Sequence, residues 1–164
     1  MFTAYLYESL GIKLSLTPDQ IDRVFWDAAA PGVPTDGIED FLDYLYCSGI
    51  RTGVISNISY AGKVVEERIN GLLPHNHFGF IIATSEYMYR KPNRRIFELA
   101  LEKAELKPEE VWYIGDSYEC DIVGAGNAGI FPIWYTGASD MKQEAKGGVM
   151  KIGNWNELRE LMEK

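Results

Sequence analysis

Apolar positions along the chain fall into two regimes, separated by the hard break Pro31-Gly32-Val33-Pro34. Before it, residues 1–30 read as helix, turn, helix. Thr17-Pro18-Asp19-Gln20 is a helix start: Thr17 suits the cap, Pro18 the first turn, and Gln20 the reciprocal position three residues on. Ile21, Val24 and Phe25 then fall on one predicted inward face. After the break, helices alternate with short apolar runs. Residues 37–48 predict a helix with Ile38, Phe41, Leu42 and Leu45 inward, ended by Gly49. TGVIS (52–56) predicts a strand, and 60–72 a helix burying Val64, Val65 and Ile69. GFIIAT (79–84) predicts a second strand, and 93–104 a helix with the stripe Ile96, Phe97, Ala100 and Leu101. VWYIG (111–115) is a third strand, 121–128 a helix stopped by Gly129, 131–135 a fourth strand, 149–152 a short fifth, and 156–163 a closing helix.

Strands alternating with helices of this length imply an α/β fold, with a mostly parallel sheet covered on both faces. Right-handed crossovers make it doubly wound. Ligands in such folds sit beyond the carboxyl ends of the strands, so the residues directly after each strand are where chemistry is expected.

Composition narrows the class. A chain of 164 residues, 46% hydrophobic and 24% charged, suits one soluble domain. The net charge of −8 repels phosphate backbones, so no nucleic-acid partner is expected. No apolar run approaches the roughly 18 residues of a membrane span, and the N-terminus has no signal-peptide pattern. Cys47 and Cys120, far apart, form no disulfide framework. These features together read as a reduced, cytoplasmic protein with no membrane association.

Four polar groups follow the strands: Ser56-Asn57, then Arg90-Lys91-Pro92, then Gly115-Asp116-Ser117, with Asp121 opening the next helix. A hydroxyl and backbone N–H at Ser56 and Asn57 suit phosphate oxygens. Lys91 adds a point positive charge. Asp116 and Asp121 are hard oxygen ligands of the kind Mg²⁺ accepts while retaining waters, and Gly115 permits close backbone approach. Each element alone is ordinary turn or cap chemistry. Their order and shared strand-end placement describe a device for holding a phosphoryl group and the charge that grows on it.

TGVISN (52–57), RKPNRRIF (90–97) and VWYIGDSYECDIVGAGNAG (111–129) together resemble the haloacid-dehalogenase-like hydrolases, most of them Mg²⁺-dependent phosphatases. The resemblance runs over nearly the whole chain and implies a Rossmann-like core at 31–164, with residues 1–30 the remnant of a small helical cap. It implies that Ser56, helped by the Asn57 backbone, holds the phosphoryl group of a small phosphorylated substrate. Lys91 would neutralise the nucleophile and the transferring phosphoryl, Asp116 would bind Mg²⁺, and Asp121 would support the metal directly or through water.

The family's nucleophile and its general acid–base are the two aspartates of an Asp-x-Asp ending its first strand. This sequence has none. Asp36, Asp40 and Asp43 belong to a helix, where acids near the start are ordinary, and Asp27 continues into Ala28-Ala29-Ala30 with no second acid. The resemblance therefore implies a missing first core strand, between the strands ending at Ser56 and Gly115. Each unsatisfied buried backbone group costs about 1–3 kcal/mol, so an empty slot would rival a domain stability of about 5–15 kcal/mol. Three solutions are open. The flanking strands close on each other, or a segment of this chain or of a homodimer partner fills the slot, with Phe2 to Tyr7 a weaker strand candidate. Otherwise the chain is a truncated or mis-started product, the reading favoured here.

The expected function is a phosphatase-class hydrolase when complete, inactive as this chain alone. The alternative is a non-enzymatic phosphate- or Mg²⁺-binding or regulatory module. A phosphoacceptor receiver domain is disfavoured, because its accepting acid should precede the hydroxyl and lysine. C–halogen cleavage, phosphonate cleavage and sugar-phosphate mutation share the core motifs, so the substrate is not readable. His75 and His77 read as a surface loop, Cys120 has no partner base, at least three of the four tryptophans read as packing residues, and Glu86 to Tyr89 are candidates for a pocket mouth.

Overall fold

A computed structural model describes residues 2–138 and 148–163. Two helices, α1 (Phe2–Ser9) and α2 (Pro18–Ala29), precede α3 (Ile38–Cys47). The alternating part follows as β1 (Val54–Ser56), α4 (Gly62–Leu72), β2 (Ile81–Ala83), α5 (Arg94–Ala104), β3 (Trp112–Gly115), α6 (Gly124–Asn127), β4 (Phe131–Tyr135), β5 (Met150–Ile152) and α7 (Trp155–Met162). All observed strand pairs are parallel, as the βα alternation requires. The fold is the doubly wound α/β arrangement expected.

The sheet is split. β1 pairs with β2 in the register Val54 to Ile81 and Ser56 to Ala83. β3 pairs with β4, and β4 with β5. Among the described residues nothing pairs with the second edge of β1 or of β3, so the flanking strands have not closed on each other. The segment from Phe2 to Tyr7 is helical, which overturns the idea that it supplies the missing strand. Its slot, if filled, is not filled from there. β1 is shorter than the TGVIS run, although Gly79 N–H donates to the Thr52 carbonyl and Val54 N–H to the Phe80 carbonyl just ahead of it.

Two cores hold the pieces together. Ile55, Ile82, Ile96, Phe97, Ala100, Ala125, Ala128 and Ile130 form the first, with Tyr113 of β3 packed against it. Helix α5 thus bridges the β1–β2 pair and β3. Phe41, Leu45, Ile133, Tyr135, Ile152 and Leu158 form the second, with α3 and α7 over β4 and β5. Here Trp155 stacks on Phe41 and Tyr135.

Thr17 caps α2 with the reciprocal Gln20 bond, as the sequence indicates. The inward face of α2 differs from expectation. Val24 is 60% exposed and Phe25 45% exposed, whereas Asp22 is fully buried beside Ile21. Residues one helical turn apart, Asp22 with Trp26 and Arg23 with Asp27, face α4. Asp22 accepts the Ala61 N–H at 2.9 Å, and Trp26 stacks on Tyr60 with ring centroids 4.7 Å apart. Arg23 pairs with Glu67 and Asp27 with Arg68, whose guanidinium also covers the Trp26 ring. Polar ties to α4, invisible to an apolar-periodicity argument, set the rotation of the helix. His75 and His77 are exposed around a buried Asn76, which knits the loop through Asn70, Leu73 and Phe78. Trp134 is buried and Trp26 and Trp155 half-buried, while Trp112 is exposed.

Candidate active site

The polar strand-end residues are joined by a chain of contacts. Asn57 follows β1 and clasps the backbone of Lys91: its Nδ2 donates to the Lys91 carbonyl at 2.8 Å, and its Oδ1 accepts the Lys91 N–H at 2.9 Å. The Asn57 side chain therefore positions the loop that carries Lys91, leaving only its backbone for a ligand. The Lys91-Pro92 peptide bond is cis, and Asn93 then caps α5 by accepting the Arg95 N–H.

Lys91 Nζ donates to Asp121 Oδ1 at 2.6 Å and to the Tyr113 hydroxyl at 2.9 Å. The Lys91 side chain is 10% exposed and that of Asp121 4%. Asp121 Oδ2 accepts the Ser117 N–H at 2.9 Å, and the Tyr113 hydroxyl donates to Oδ1 at 3.3 Å. Burial first, and the negative charge of Asp121 second, push the Tyr113 hydroxyl far above its ordinary value of 10.0. It stays a neutral donor. Gly115 is required here, since a Cβ on it would lie 2.4 Å from the Asp121 carboxyl carbon.

Residues 118–123 turn with the wide spacing of a π-helix, and the Ser117 hydroxyl accepts the Cys120 N–H at its start. Such turns recur at functional sites. The Asp116 side chain is exposed, and its carbonyl accepts the Trp134 indole N–H at 3.0 Å. The Ser56 hydroxyl and the Asp116 carboxylate enter no hydrogen bond among the described residues. Asn57, Lys91, Asp121 and the Gly115–Ser117 turn are thus brought together by direct bonds, while Ser56 and Asp116 stand at the ends of the flanking strands β1 and β3.

As a magnesium site, the donor set is half of one. The Asp116 carboxylate, a hard oxygen donor, makes no hydrogen bond or ion pair among the described residues. Asp121 has both oxygens occupied by Lys91, Tyr113 and Ser117. No group of three acidic, histidine or cysteine side chains gathers among the described residues. One carboxylate with waters and a substrate phosphate still fits the habit of Mg²⁺. Tyr113 escaped the sequence reading. Its only signal is a hydroxyl-bearing aromatic inside the otherwise apolar run VWYIG.

Comparison with known proteins now identifies the class. The family model for "Haloacid dehalogenase-like hydrolase" matches residues 28–135, and the chain belongs to that family. Over 159 residues it is 28% identical to pyrimidine 5'-nucleotidase YjjG of Escherichia coli strain K12, covering 95% of this chain and 69% of that protein. It is 38% identical over 111 residues to glyceraldehyde 3-phosphate phosphatase of Methanothermobacter thermautotrophicus, covering 66% of this chain and 46% of that one. The chain thus spans only about half the length of several relatives it matches. The fold matches a HAD phosphatase from Thermococcus onnurineus, with a TM-score of 0.71 at 21% identity over 97% of this chain and 69% of that one. It also matches the magnesium-bound putative HAD-hydrolase YfnB of Bacillus subtilis, with a TM-score of 0.67 at 24% identity over 77% of this chain and 55% of that one. No helix among the described residues is long and apolar enough to cross a membrane.

Proposed function

We propose that this chain carries the binding half of a Mg²⁺-dependent phosphatase for small phosphate monoesters, and that by itself it binds without turning over. The contact chain from Asn57 through Lys91 to Asp121, at the carboxyl ends of β1 and β3, carries this reading. Ser56 and the Asn57 backbone would hold phosphoryl oxygens, and Lys91 would offset their charge. Asp116 would hold Mg²⁺, which supplies further charge neutralisation when bound. Asp121 acts behind them, fixing Lys91. Among the described residues the site presents no carboxylate placed to act as nucleophile. A parallel strand paired to the open edges of β1 and β3 would deliver one beside Lys91, whether borne by another segment or another chain such as a homodimer partner. Residues 1–30 fit a cap remnant, because the described ones among them supply no member of either core and hold α4 by polar contacts.

The test is hydrolysis of an aryl phosphate with added Mg²⁺, alongside calorimetric binding of inorganic phosphate. The expected result is Mg²⁺-dependent phosphate binding, weakened by Asp116→Asn, with no turnover. Turnover abolished by Asp116→Asn would overturn the claim of inactivity, and absence of phosphate binding would overturn the site. The specific observation favouring a non-enzymatic binding module is the closed Lys91–Asp121 pair with no Asp-x-Asp beside it. A parent polypeptide with an Asp-x-Asp strand ahead of residue 1 would count against that second reading.

A further inference from the structure

We propose that the hollow lined by Arg90 is a subsite for a carboxylate on the leaving group of the bound phosphate ester, so that the substrate class is a phosphorylated small carboxylic acid. This deepens the reading above and rests on it. The hollow measures about 340 Å³ and is bounded by Tyr5, Ile58, Ser59, Thr84, Ser85, Tyr87 and Arg90. Ile58 and Ser59 directly follow Ser56-Asn57 after β1, Thr84 and Ser85 directly follow β2, and Arg90 directly precedes Lys91. The lining residues are thus chain neighbours of the phosphoryl-holding residues, past the carboxyl ends of β1 and β2, where ligands of parallel folds sit.

Arg90, Ser59 and Thr84 bring donors that are uncommitted among the described residues. Arg90 enters none of the ion pairs of the described residues, although the chain carries a net charge of −8. Glu86, the acid closest to it in the chain, makes no ion pair with it and accepts the Gly62 N–H at 3.0 Å at the start of α4. The Ser59 hydroxyl has no partner among the described residues. Thr84 Oγ1 accepts the Ile58 N–H at 3.2 Å, which leaves its own proton to donate. Ser85 gives its proton to the Tyr60 carbonyl and offers nothing to an anion. One guanidinium and two hydroxyl donors match the single charge and two oxygens of a carboxylate better than a second phosphate dianion. Tyr5 and Tyr87 add aromatic walls for the carbon skeleton.

Calorimetric titration of the full chain with Mg²⁺ tests this, using glycerol 3-phosphate and 3-phosphoglycerate, which differ by a carboxylate in place of a hydroxymethyl group. Inorganic phosphate and unphosphorylated glycerate serve as references. The carboxylate should tighten binding by about tenfold or more. Arg90→Gln should bring that ratio to about one, and Arg90→Lys, which keeps the charge without the planar fork, should retain only part of it. Equal affinity for the two esters, or a preference that survives Arg90→Gln, would overturn the subsite and leave the phosphoryl reading standing. If neither ester nor inorganic phosphate binds, the phosphoryl reading falls. In that case glycerate binding lost in Arg90→Gln would still support the carboxylate site, and its absence would sink both.

Discussion

Replacing Lys91 with methionine tests whether the site is also a structural joint. The change removes the shortest contact to Asp121, 2.6 Å, while keeping a side chain of similar length. Both partners are nearly fully covered, so Asp121 would be left as a buried charge with only the Ser117 N–H at 2.9 Å and the longer Tyr113 contact at 3.3 Å. Removing one partner of a buried pair costs about 3–5 kcal/mol. The two surviving hydrogen bonds place the expected loss near the lower end, about 3 kcal/mol. In a chain of 164 residues that is a fall in Tm of roughly 6–12 °C. Urea unfolding followed by tryptophan fluorescence reads it, and Asp121→Asn in the same background should recover at least about 1 kcal/mol, because a neutral amide tolerates the loss of the cation. A loss under about 1 kcal/mol, or strictly additive single and double variants, would show that water screens the pair and refute the reasoning.

Other outcomes follow from the same contacts. Tyr113 is held protonated in the folded chain above its unfolded value of about 10. Its contribution is therefore complete below pH 10 and shrinks as pH rises beyond it, because the unfolded chain releases the proton first. Tyr113→Phe should flatten the alkaline decline of stability between roughly pH 10 and 11.5 in urea midpoints, and an unchanged slope would count against the burial of that hydroxyl. Asp22→Ala removes a buried acceptor from the Ala61 N–H and should cost about 1–3 kcal/mol by the same unfolding measurement. Gly124→Ala would set a Cβ 2.7 Å from the Phe97 ring and 3.0 Å from the Pro92 backbone, an overpacking expected to cost about 1–3 kcal/mol. A wild-type denaturation midpoint in that variant would mean α5 and α6 pack less closely than described.

The element order, the parallel sheet and the strand-end placement of Ser56, Lys91 and Gly115-Asp116 were all legible in the sequence. They depend on local signals: apolar runs of strand length, a cap such as Thr17, and glycine where the chain must turn or approach closely. That the given sequence holds no Asp-x-Asp is likewise read directly from its residue order. Three features depended on tertiary structure. The rotation of α2 is set by Asp22, Arg23, Trp26 and Asp27 meeting α4, contacts 39 to 44 residues apart for the bonds to Ala61, Glu67 and Arg68. Asp121 pairs with Lys91 because folding brings residues 30 apart within 2.6 Å in a space too dry to leave either charge alone. The split between β1 and β3 is likewise decided by which edges meet. A strand's hydrophobic pattern says that it will be buried, but only the fold determines whether a neighbour stands on both sides of it.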